Sequence, residues 1–192
     1  MANTAVSANR LELLQYPITF AFGSAVITMV ATAAGARDFE RARHAAWTGA
    51  AVASGIGCVF TVIALLGTHW MSIFTADAAI RTDGALYLLC LAAVFPLTGL
   101  GLACYFACLG VGYVARPFLL AVARVILVVA GGWMALRFGG GMAGVALASA
   151  AAFALFGIAV FLVARARFAQ LILATRHAAA AEPAELGPAQ RV

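Results

Sequence analysis

Lysine is absent from this chain, and carboxylates are few: 7 Asp and Glu stand beside 12 Arg in 192 residues. Charged residues make up 10% of the sequence, where a soluble domain carries about 25%. That shortage excludes an ordinary water-soluble globule. Catalytic groupings are missing too. No Ser/His/Asp arrangement with context, no HExxH and no phosphate-binding loop occurs, so neither an enzyme nor a bound cofactor is expected. The four cysteines, Cys58, Cys90, Cys104 and Cys108, all lie in apolar stretches. They give no disulfide framework and read as packed thiols. Cys104 and Cys108 share a helix face, but no His, Asp or Glu joins them there to hold a metal. The exclusive use of Arg is what a GC-rich coding bias produces. The net charge of +5 comes from arginines at the ends of apolar stretches, which argues for membrane topology rather than a nucleic-acid partner.

What the chain has instead is hydrophobicity: 65% apolar residues and a mean hydropathy of +1.04. Residues 13–36, 45–76, 84–115 and 138–164 contain no charged side chain, and residues 117–136 contain one, Arg124. Each run reaches or exceeds the roughly 20 residues that carry a helix across a ~30 Å hydrocarbon core. Lipid offers the backbone no hydrogen-bond partner, so such runs cross as helices that satisfy themselves. The expectation is an all-α, polytopic membrane helical bundle. Residues 1–168 form its membrane domain, with spans at about 11–34, 46–70, 84–112, 117–137 and 142–164. The tail from Arg165 begins as a basic helix extension and ends in AAAAEPAELGPAQRV, which buries too little to fold; residues 169–192 read as a disordered cytoplasmic tail.

Five spans place the termini on opposite faces. One face carries Arg37, Arg41, Arg43, Arg116, Arg165, Arg167, Arg176 and Arg191, and the other carries Arg10, Arg81 and Arg137. By the positive-inside rule the first face is cytoplasmic, which puts the N-terminus outside. The opening MANTAVSANR lacks the basic region of a signal peptide. A chain that starts outside and crosses five times reads as part of something larger. Trp47 and Trp70 bracket the second span as interfacial anchors, with His69 beside the latter. Asp77, Arg81 and Asp83 sit at helical spacing in the next connection, where exposed pairs contribute little.

Three features inside the spans carry candidate chemistry. On the first helix Glu12, Gln15, Tyr16 and Thr19 follow i, i+3, i+4, i+7 spacing and share one face; Gly23 continues it without a side chain. This stripe begins at a carboxylate that partial burial would tune toward reversible proton loading, or that with hydroxyls could hold a cation. The alternative is a solvated acid in a helix's first turn. In the third span Pro96 removes one helical hydrogen bond, with Gly99 and Gly101 close behind, which gives either a hinge or a static kink. In the fourth span Arg124 lies ~12 Å along the helix from Arg116. A charge at that depth faces the bundle interior or snorkels to the headgroups.

The stretch NRLELLQYPITFAFGSAVITMVATAAGARDFERARHAAW resembles the second half of MATE (multidrug and toxic compound extrusion) transporters. Their corresponding helix ends in a Gly-Ala run followed by an Arg-rich loop, here GARDFERAR. MSIFTAD, a Pro-containing span ending CYFACLGVGYVARP, and an Arg in the next span follow in order. The resemblance covers roughly residues 5–168. It implies helices eight to twelve of a twelve-helix fold in the bacterial inner membrane, in the orientation that charge counting gives. It also implies export of small organic, often cationic, compounds by H⁺ or Na⁺ antiport through alternating access. A lipid or polysaccharide flippase of the same superfamily, or a non-transporting subunit, is the alternative. The third span lacks the carboxylate many members carry there, and Ala31 stands where Gly is frequent. Glu12 is then the remaining coupling candidate, with Gln15, Tyr16, Thr19 and Arg124 as substrate or ion contacts. The implied partners are the lipid bilayer, the substrates, and a second lobe or another copy of the chain.

Overall fold

The computed structural model describes residues 2–66, 69 and 78–185, and within them the side chains of 13–66, 69, 84–141 and 143–177. Six helices are described: α1 (Ala2–Gly35), α2 (Phe39–Leu65), α3 (Ala78–Ala92), α4 (Phe95–Gly110), α5 (Ala115–Arg137) and α6 (Gly141–Glu185). No strand occurs among the described residues. Four segments are long and apolar enough to cross a membrane: Leu13–Gly35, Phe39–Leu65, Ala115–Arg137 and Ala143–His177. The pair Gly84–Ala92 and Phe95–Gly110 passes the same test taken together, bent by 56° at its break, and counted as one span it is the fifth.

The turns follow from local chemistry. At the end of α1, Arg37 takes a left-handed φ of 59°. Its N–H bonds Ala34 O, and the Asp38 N–H reaches back to Ala33 O, closing the helix as a Schellman-type cap. Asp38 then caps α2 by accepting from the Arg41 N–H at 3.0 Å. The α5–α6 turn uses Gly139 and Gly141 at positive φ, a conformation that glycine adopts without a Cβ penalty.

α4 is the central element, packed against α1, α2 and α6. Lipid tails are as apolar as leucine, so close backbone approach rather than hydrophobicity selects the contacts in a membrane bundle. Glycines at the crossings permit it. A Cβ on Gly57 of α2 would lie 2.5 Å from Phe95 O, and one on Gly101 would lie 2.6 Å from Gly157 Cα of α6. Gly99 sits equally tight on the Ala53 carbonyl. Cys104 and Cys108 are buried in this core, Cys58 is exposed, and all four thiols are free.

The C-terminal segment differs from the expected disordered tail. α6 continues through Glu185 without interruption, so 169–185 are helical. Phe168 and Ile172, one turn apart, are buried on the extension, and Arg176 pairs with Glu40 of α2 at 3.0 Å. Alanine-rich sequence supplies helix propensity, and these anchors dock the extension on the α1–α2 turn. A composition reading averages over such anchors and misses them. Residues 186–192, Trp70 and Asp77 lie outside the described residues, as do the side chains of Arg81 and Asp83.

Candidate functional site: a broken helix held by polar side chains

The break between α3 and α4 begins with Pro96. It has no N–H, so the Ala92 carbonyl one turn earlier loses its helical donor. The chain turns through Ala93–Val94, with Val94 N–H on Leu91 O at 2.9 Å. In lipid an abandoned carbonyl costs several kcal/mol unless a neighbour fills in.

Two other helices supply those neighbours. Thr61 of α2 donates its hydroxyl to Ala92 O at 2.6 Å, closer than its own helix carbonyl at Gly57, 3.1 Å away. Gln15 of α1 donates from Nε2 to Phe95 O at 3.2 Å. Thr98 in the first turn of α4 returns its hydroxyl to Val94 O at 3.0 Å. Elements far apart in sequence thus meet at one bend, with Gly57 pressed against Phe95 and Pro96 behind it.

The polar stripe on α1 faces this bend rather than an open channel. Gln15 is 4% exposed and Thr19 2%. The Thr19 hydroxyl donates to Gln15 O at 3.0 Å, and Tyr16 is half-buried. The face left bare at Gly23 is filled by the Phe106 ring of α4. Glu12 belongs to α1 one turn before Gln15, and its side chain lies outside the described residues. Thr61 was not singled out from the sequence. The available signal was Pro96: a proline inside a span demands a donor from a neighbouring helix.

Arg124 belongs elsewhere. It projects from α5 onto α6, with Cζ 5.0 Å from the Phe153 ring and 4.9 Å from the Phe156 ring. Rings one turn apart form an aromatic seat for the guanidinium, a different solution from snorkelling. Arg124 is therefore not joined to the α1 stripe, whose helix packs on α2, α3 and α4. Arg167 near the basic end behaves likewise, with Cζ 4.9 Å from the Tyr113 ring. Among the described residues no group of three His, Cys, Asp or Glu could hold a metal ion.

An all-α bundle of membrane-length helices, with a bent pair held by polar groups from two others, defines a polytopic integral membrane protein. The chain belongs to the MatE family, whose model matches residues 1–134. The match takes in α1 to α4 and most of α5, and so the whole of the bend and its clamp. No curated protein and no solved structure matches the chain significantly.

Proposed function

We propose that this chain is one lobe of a transporter that exports small organic, often cationic, compounds across the bacterial inner membrane. Inward movement of H⁺ or Na⁺ drives export by alternating access. The observation that supports this best is the bend at Pro96. Its carbonyls are served by side chains of α1 and α2, so their hydrogen bonds can be exchanged without exposing backbone to lipid. Broken spans of this kind are where transporters gather substrates and ions. On this reading the arginine-rich end of the bundle is cytoplasmic, Pro96 is the hinge, and Glu12, at the outer end of the stripe, carries the coupling ion. A second lobe, from another chain or a second copy, supplies the opposite wall of the cavity. The aromatic seating of Arg124 gives it a packing role instead of the cationic lining a flippase uses for anionic substrates.

The test is accumulation of a fluorescent cationic dye in cells lacking their own efflux pumps. Expression of the chain lowers accumulation, and Glu12→Gln restores it to the empty-vector level. Unchanged accumulation despite verified membrane insertion would favour a subunit that does not transport by itself.

A further inference from the structure

The basic end of the bundle carries a groove that none of the transport chemistry uses. It lies between α2 and α6, holds about 300 Å³, and is lined by Arg43, Trp47, Phe161, Arg165 and Ala169. Its order along the two helices is informative. Trp47 lies one turn, ~6 Å, deeper into the span than Arg43, and Phe161 lies one turn deeper than Arg165. The rings of Trp47 and Phe161 meet at 5.3 Å between centroids. The groove thus has an aromatic floor toward the hydrocarbon and a guanidinium mouth toward water.

The charge at the mouth is only partly answered. Glu40 is shared between Arg43 at 2.7 Å and Arg176 at 3.0 Å. Arg165 is exposed and has no ion pair among the described residues. Two guanidinium groups line the mouth, Arg43 and Arg165, and the one carboxylate near them, Glu40, is divided between Arg43 and Arg176, which leaves net positive charge beside an apolar slot. A soluble anion would use the mouth and ignore the floor. A zwitterionic lipid would use the floor and bring no net charge to the mouth. We propose that this groove binds an anionic phospholipid, with its phosphate at Arg165 and Arg43 and the start of its acyl chains on Trp47 and Phe161.

The experiment is native mass spectrometry of the full chain in detergent, titrated with phosphatidylglycerol or phosphatidylcholine. One arginine near the membrane surface is worth about fivefold in anionic-lipid affinity. Arg165→Gln should therefore weaken phosphatidylglycerol about fivefold, and Arg43→Gln with Arg165→Gln should bring it level with phosphatidylcholine. Arg116→Gln, at the same end but outside the groove, should change nothing. Glu40→Gln frees Arg43 from its carboxylate and should tighten phosphatidylglycerol, a gain that damage to the fold could not produce. Equal affinity for the two lipids, an unchanged preference in the double variant, or no gain with Glu40→Gln would overturn the assignment. So would displacement of the lipid by excess inorganic phosphate, which would make this a soluble-anion site.

Discussion

α4 and α5 are adjacent in sequence, similarly apolar, and opposite in circumstance. α4 is buried along most of its length: Thr98, Gly99, Gly101, Leu102, Ala103, Cys104, Phe106, Ala107 and Cys108 are all inside. On α5 only Pro117 is buried, and Leu119, Ile126, Val129 and Trp133 are exposed. Hydrophobicity does not tell them apart, but residue size does. At its crossings α4 carries Gly99, Gly101, Ala103, Cys104, Ala107 and Cys108, small residues that let three helices approach its backbone. α5 exposes the bulky Leu119, Val122, Val125, Ile126 and Val129, which keep other helices at a distance. Its one firm attachment is to α6, through glycines on the facing side and the Arg124 seat. Position in a membrane bundle is thus written in side-chain volume, because polarity is already spent on staying in the membrane.

The comparison breaks most sharply at the crossing points. Gly57→Leu drives a side chain into the backbone at Phe95 and Pro96. We expect a loss of about 3 kcal/mol or more by detergent unfolding. Val129→Leu on exposed α5 should shift the same midpoint by less than about 0.5 kcal/mol. A small effect for Gly57→Leu would mean that α4 is not clamped.

Thr61→Val leaves the Ala92 carbonyl without its 2.6 Å donor and should cost about 1–2 kcal/mol. Pro96→Ala restores an N–H that can serve the same carbonyl. In a double-mutant cycle it should therefore remove most of the Thr61→Val penalty. Strictly additive effects would show that the hydroxyl is not replacing the proline's missing donor.

On the α5 side the expected effect of Arg124→Leu is a loss of about 1–2 kcal/mol through its two rings, with Arg124→Lys retaining part of it. A cycle with Phe156→Leu should show coupling, and its absence would mean that the α5–α6 contact rests on the small residues alone. One further change lies outside both helices. Arg37→Gly relieves a left-handed residue with φ of 59° and should stabilise the α1–α2 turn by about 1 kcal/mol.

Much of the fold is legible in the sequence because the bilayer imposes one rule per span. The long apolar runs around Val26, Phe60, Val129 and Val160 are helices, and the proline inside the third run marks the bent one. The candidate site is legible only by halves. The spacing of Gln15, Tyr16 and Thr19 shows that they share a face, but not that the face is buried against α4. Nor does any local pattern say that Arg124 meets Phe153 and Phe156, since its partners lie in the next helix. The start of a helix extension at Arg165 is legible, but its length and docking are not, because its anchors, Phe168, Ile172 and Arg176, are isolated residues in a weakly informative background.

By itself, then, the sequence determined the solvent, the helical class, the span pattern and the site of the break. Hydrocarbon demands self-satisfied backbones over a fixed length, and proline withholds a donor wherever it stands; both are local facts. The tertiary structure decided which helix is central, which carbonyl each polar group serves, and which aromatic rings receive each arginine. Those outcomes depend on the meeting of surfaces from distant segments, where a missing Cβ at Gly57 or a hydroxyl at Thr61 acquires its effect only from what lies across the interface.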